Sequence, residues 1–197
     1  MFSSMTSDGP NAYLLVVSHR HMIEMRSLFV GRFQPVHKGH MHTVRQILEN
    51  GEDLVIAIGS AQYSHTPDNP FTGGERVMFI KRAALDEGLP LDRIDIVPVP
   101  DIGIHPLWVS HLMSLVPRVD KAYSHNPLVR RLLIDAGFRV DETGLLERGT
   151  YSGRHIRDLM RWGGEWEPLV PEGVVQIIKE LKLDERVREI GEVTITR

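Results

Sequence analysis

Three features of the sequence predict an α/β protein built on a parallel sheet. Five short apolar runs between Ser27 and Glu142 alternate with stretches of helical period. The second run, "DLVIAIG", is apolar on both faces, as a central strand covered by helices on both sides should be. The unusual residues, a mix of Gly, Pro, His and Trp, gather after the runs, and an open parallel sheet binds ligands beyond the carboxyl ends of its strands. The expected architecture is a Rossmann-like, doubly wound parallel sheet of about five strands, with a helical C-terminal segment.

The elements follow in order. "SLFVG" reads as the first strand, and Gly39 to Glu49 as a helix with Met41, Val44, Ile47 and Leu48 on one face. "DLVIAIG" is the second strand. Thr72 caps a helix that runs from Gly73 through "ERVMFIKRAAL" to Gly88. "RIDIVPV" is the third strand, "LWVSHLMSLV" a helix and "VDKAYS" the fourth strand. Asn126 caps the next helix, with Pro127 at its first position and Gly137 past its end. "FRVDE" is a short fifth strand, and from Ser152 the pattern is helical with Pro and Gly breaks.

Composition narrows the function classes. A chain of 197 residues, 42% hydrophobic and 25% charged, suits one globular domain with a real core. A net charge of −3 argues against a globally basic nucleic-acid binder. The absence of cysteine rules out disulfides, a zinc–thiolate site and a thiol nucleophile. No apolar run approaches a membrane span, and no basic-then-apolar leader is evident, so the cytoplasm is the expected compartment. Residues 1–24 read as a flexible N-terminal extension. Residues 25–197 read as one domain whose part from about 152 is helical.

The first loop, "GRFQPVHKGH", carries the chemistry. Gly31 lets a ligand approach the backbone, Pro35 fixes the turn, and Gly39 clears the start of a helix whose free N–H groups favour an anion. His37 and His40 add ring donors, and Arg32 and Lys38 add charge. The glycine spacing fits neither a Walker A loop nor a dinucleotide fingerprint. Two histidines also raise zinc, but flanking cations oppose it and no third ligand lies near, so no metal site is expected.

This loop resembles the (H/T)xGH signature of the nucleotidyltransferase superfamily, and "YSGRHIR" resembles its second signature, (I/Y)SxTxxR. With "IGSAQYSHTPDNPFTGGER", "VPDIGIHPLWV" and "YSHNPLV" in the same order, the chain resembles the archaeal type of nicotinamide mononucleotide (NMN) adenylyltransferases from about Met25 to Glu189. The resemblance implies the reaction ATP + NMN → NAD⁺ + pyrophosphate. It implies catalytic roles for His37, His40, Arg157 and Arg32. It places ATP on Gly31, Arg32, Phe33, Gln34, His37, Gly39 and His40 from the first signature, and on Tyr151, Ser152 and Arg157 from the second. It assigns NMN to Gly59, Ser60, Asp101, Trp108 and Asn126, with Trp108 stacking on the cationic nicotinamide ring. Read without it, Trp108 is a core residue rather than a stacking one, Asn126 is equally a plain N-cap, and Arg154, Arg157 and Arg161 are equally a basic helix face.

The resemblance also implies Mg²⁺ entering with ATP, and a homo-oligomer, a hexamer in the family. Neither a nucleic-acid nor a membrane partner is expected. Four positions depart from the pattern: Asp68 where Arg or Lys is common, His105 for Asn, His125 for Gly, and Arg154 for Thr. Arg154 brings a cation to the second signature and can offset the one missing at position 68. The same first loop serves adenylyl or cytidylyl transfer to flavin mononucleotide or phosphopantetheine, and a non-catalytic nucleotide-binding regulator is a further alternative.

Overall fold

The computed structural model describes residues 25–142, 144 and 149–195; the N-terminal extension expected over 1–24 lies outside the described residues. Five parallel strands form the sheet: β1 (Arg26–Gly31), β2 (Asp53–Ile58), β3 (Ile94–Pro98), β4 (Lys121–Tyr123) and β5 (Val140–Asp141). Seven helices lie among the described residues: α1 (Lys38–Glu49), α2 (Gly73–Asp86), α3 (His105–Leu115), α4 (Pro127–Asp135), α5 (Gly153–Trp162), α6 (Glu172–Glu180) and α7 (Leu183–Ile195). Strand order is β3-β2-β1-β4-β5. The doubly wound parallel sheet expected from the sequence is therefore what the chain forms.

Strand alternation divides the core. Phe29, Leu54, Ile56 and Ile58 face one layer, where they pack with α1, α2, α5, α6 and α7 through residues such as Met41, Phe79, Ile156, Ile178 and Val187. Leu28, Val30, Val55 and Ala57, the residues between them, face the other layer and meet Trp108 and Leu112 of α3 and Leu133 of α4. Both faces of the central strands are thus buried, which is why their sequence shows no polar face. At the amino edge, the buried Glu52 accepts from Ser27 Oγ and pairs with Lys121 Nζ at 2.6 Å, tying three strands together far from the carboxyl ends.

The boundaries differ most from the sequence expectation at α3, β4 and β5, and β4 pairs only over Lys121–Tyr123 of the expected "VDKAYS". α3 begins at His105 because Pro106 fits the first turn of a helix, where its missing N–H costs nothing. β5 has two paired residues instead of the five expected, since it is the sheet's edge and only half-buried. The chain order reverses between β1 and β4, and that switch point opens the crevice described next.

Candidate active site

A cleft of about 510 Å³ lies over the carboxyl ends of β1, β2 and β4, within the size range of small-molecule sites. Its walls come from Gly31 and Arg32 after β1, Gly59 and Ser60 after β2, Asp101 after β3, and His125 and Asn126 after β4. Phe33 and Ser60 turn the chain with left-handed backbone, φ 52° and 53°, a conformation costing on the order of 1 kcal/mol or more for a residue with a side chain. A buried arginine of α2 holds both turns. Arg76 Nη1 donates to the carbonyls just before them, Arg32 O at 3.1 Å and Gly59 O at 2.9 Å, and Nη2 donates to Ser60 O at 3.2 Å. Burial and the Arg32 guanidinium lower Arg76 to about 10, so it stays charged at neutral pH.

The histidine pair forms the N-terminal cap of α1. His40 N donates to His37 Nδ1 and His37 N donates to His40 Nδ1, each at 3.3 Å, a reciprocal cap in which imidazoles replace the usual Ser and Glu. The rings stack at 3.6 Å with a 23° interplanar angle. Burial, then His125, brings His37 down to about 3. Burial, then His37 and His125, holds His40 well below the usual imidazole value. Both rings are neutral at pH 7, and since each Nδ1 accepts, each proton sits on Nε2. The cap therefore presents two ring donors; His40 lines the cleft and His37 is buried behind it.

The second signature meets the first. A β-carbon on Gly39 would lie 3.0 Å from Tyr151 Cβ, and one on Gly153 would lie 3.0 Å from Gln34 O, so these glycines set how closely the starts of α1 and α5 approach. Ser152 Oγ accepts from His155 N at 3.2 Å and caps α5. Arg157, buried in α5, reaches back: Nη1 donates to Gln34 O at 2.9 Å, Nε to Pro67 O at 3.1 Å, and Nη2 pairs with Asp68 Oδ1 at 3.4 Å. Burial and Arg32 lower Arg157 to about 10. The Gln34 side chain is buried and grips the Phe71 backbone with both amide ends, at 2.9 and 3.0 Å. Phe33 is buried with its ring 4.6 Å from His40. Arg154 is exposed on the first turn of α5.

The opposite wall is ordered by Asp101. Ser60 Oγ donates to Asp101 Oδ2 at 2.6 Å, and the Gln62 side chain brackets the Asp101 backbone at 2.8 and 2.9 Å. Trp108, only 8% exposed, belongs to the α3–α4 core and still lines the cleft. Asn126 Oδ1 accepts from Leu128 N and Val129 N, so it caps α4 at the cleft edge. His105 lines the rim, and His125 lies 3.3 Å from Thr43 Oγ1 and edge-on to Phe29. The structure thus gathers Gly31, Arg32, His40, Gly59, Ser60, Asp101, Trp108 and Asn126 around one cleft; His37, Gly39, Tyr151, Ser152 and Arg157 do not line it, and of these His37 stacks on His40, Tyr151 meets Gly39 and Arg157 meets Gln34.

Sequence reasoning missed Arg76 and Gln62. The signal for Arg76 was present: it stands at i in an i, i+3, i+4, i+7 series with Phe79, Ile80 and Ala83, a charge on a buried face. Gln62 carries no comparable signal, because its partner is a backbone 39 residues away.

The arrangement is rich in donors: two imidazole Nε2–H groups, the N-termini of α1 and α5, and the guanidinium of Arg32. It suits a polyphosphate anion. Among the described residues no group of three His, Cys, Asp or Glu is placed to hold a metal ion. A cytidylyltransferase-like family model matches residues 28–157, which run from within β1 to Arg157 of α5. Nicotinamide-nucleotide adenylyltransferase of Archaeoglobus fulgidus is 47% identical over 170 residues, 85% of this chain and 98% of that one. Its namesake from Ignicoccus hospitalis is 48% identical over 168 residues, again 85% and 98%. A bifunctional NMN adenylyltransferase/ADP ribose pyrophosphatase from Francisella tularensis has the same fold, with a TM-score of 0.72 at 18% identity; the match covers 88% of this chain and 55% of that one. With about half its residues shared across nearly the whole length of such relatives, the chain belongs to the nicotinamide-nucleotide adenylyltransferase family, within the cytidylyltransferase-like group.

Proposed function

We infer that this chain transfers the adenylyl group of ATP to NMN, giving NAD⁺ and pyrophosphate. The observation that carries the reading is the pair of neutral, mutually capped histidines at the start of α1, beside a cleft at the switch point. Relatives named for this activity favour it over transfer to flavin mononucleotide or phosphopantetheine and over a non-catalytic regulator.

The chemistry follows from the donor set. The attacking NMN phosphate is already an anion, so an in-line attack on the α-phosphorus needs no general base. Catalysis reduces to alignment and to donors aimed at the charge that grows on the phosphoryl oxygens. In our reading His40 Nε2–H donates to the α-phosphate region and His37 supports it and the adjoining phosphates. Arg32 and Arg157 hold the β,γ-phosphates that depart, helped by the N–H groups of α1 and α5 near Gly39 and Ser152. Trp108 stacks on the nicotinamide, while Ser60, held by Asp101, and Asn126 frame the NMN side. Mg²⁺, in our proposal, would enter with ATP and would supply positive charge at the departing pyrophosphate.

No described helix is long and apolar enough to cross a membrane. A cytoplasmic homo-oligomer, a hexamer, completes the proposal, and light scattering of the purified chain reads its assembly. The test of function is an acceptor panel with ATP: NMN, nicotinate mononucleotide, flavin mononucleotide and phosphopantetheine. NMN is expected to give NAD⁺ and pyrophosphate with a far higher kcat/KM than the last two. A preference for flavin mononucleotide or phosphopantetheine overturns the reading.

A further inference from the structure

Arg157 and its carboxylate partner differ sharply in exposure. The guanidinium side is 3% exposed and Asp68 is 71% exposed. Two of the arginine's donor atoms are fixed on the carbonyls of Gln34 and Pro67, so the guanidinium cannot follow a departing partner. Nη2 faces Asp68 Oδ1 at 3.4 Å, long for an ion pair. Arg32 lines the cleft and lies near enough to Arg157 for the two cations to oppose one another. A ligand phosphate on Arg32 is therefore offered to a neighbourhood where like charges lack full compensation, and where the nearby anion is solvent-exposed and cheap to move.

We propose that Asp68 is a placeholder anion: it keeps Arg157 oriented when the phosphate subsite is empty and yields that cation to the β,γ-phosphates of ATP. It is a positioning residue, acting through Arg157 and never touching the transferred group. The proposal rests on the adenylyl-transfer reading and adds to it a competition between a side chain and the substrate. The pair is long and open to water on its Asp68 side, which screens it and makes the exchange easy in both directions. The polyphosphate gains because it brings several charged oxygens to a guanidinium whose other donors are already anchored.

Asp68→Asn keeps the shape of the side chain and removes its charge. Its KM for ATP should fall about three- to fivefold, with kcat and the KM for NMN within about twofold of the parent, the scale of one exposed ion pair. Asp68→Ser should shift the KM for ATP in the same direction, which guards against a folding defect peculiar to one variant. An unchanged or raised KM for ATP in both variants overturns the placeholder. A second measurement separates it from the reaction: calorimetric titration with inorganic tripolyphosphate, which needs no acceptor. Tighter binding of tripolyphosphate to Asp68→Asn supports the placeholder even in a chain that forms no NAD⁺, and there the adenylyl-transfer reading alone falls. Equal or weaker binding, in a chain that does form NAD⁺, overturns the placeholder alone.

Discussion

The imidazole of His37 has two tasks that usually fall to different residues: it caps a helix, and it belongs to a phosphate-binding pair. The cap requires the neutral ring, because Nδ1 must accept from His40 N, and the neutral ring still has Nε2–H to offer a phosphate. That gives a stability prediction with a definite sign. Burial lowers the folded-state value from 6.5 to about 3, so between these limits the unfolded chain binds a proton at His37 that the folded chain does not. Stability from this group is fully present above pH 6.5 and is lost as the pH falls toward 3, at up to about 1.4 kcal/mol per pH unit. In His37→Asn, which retains a capping oxygen, the melting temperature of the ligand-free protein should fall less steeply between pH 6.5 and 4 than in the parent. Equal slopes contradict the assignment. His37 and His40 were legible in the sequence because Gly39 and the strand-to-helix junction mark their place. Arg76 was not read, since its signal, a charge within an apolar helical face, looks like noise until the carbonyls of the two left-handed turns are seen.

Among elements, the decisive contact joins the β1–α1 turn to the start of α5. Gly153 allows Arg157 to lie against Gln34 O. Helix propensity alone says that Gly153→Ala stabilises, by up to about 1 kcal/mol. Packing says the reverse, because the new methyl would sit 3.0 Å from a backbone oxygen and 3.3 Å from Arg157 Nη1. Overpacking of this kind costs about 1–3 kcal/mol, so the urea midpoint should drop and kcat/KM for ATP should fall with it. A raised midpoint with full activity means the two helix starts do not need this approach. The sequence shows both signatures but not their contact, since Gln34 and Arg157 are 123 residues apart and no local pattern encodes a side chain bonding to a distant carbonyl. The central strands and amphipathic helices were legible for the opposite reason: their periodicity is local. Where edge effects and a first-turn proline intervened, at β5 and α3, the boundaries moved.

At the scale of the molecule, the strand order β3-β2-β1-β4-β5 leaves a crevice between β1 and β4. Into it the chain brings residues from four different loops, so the cleft follows from topology before any side chain is considered. The carboxyl edge then acquires imidazole and guanidinium groups, while the buried Glu52–Lys121 pair stays at the amino edge. A net charge of −3 hides this local donor excess, which is why bulk composition excluded partners but could not indicate a substrate. The central claim, that the capped histidines stabilise adenylyl transfer in this cleft, is tested most directly by NAD⁺ formation from ATP and NMN in the parent and in His40→Ala. The account predicts NAD⁺ and pyrophosphate in equal amounts from the parent, and kcat lower by about a hundredfold in the variant, roughly 3 kcal/mol for one lost transition-state donor. Near-parental turnover in His40→Ala, or no NAD⁺ from the parent, would contradict it.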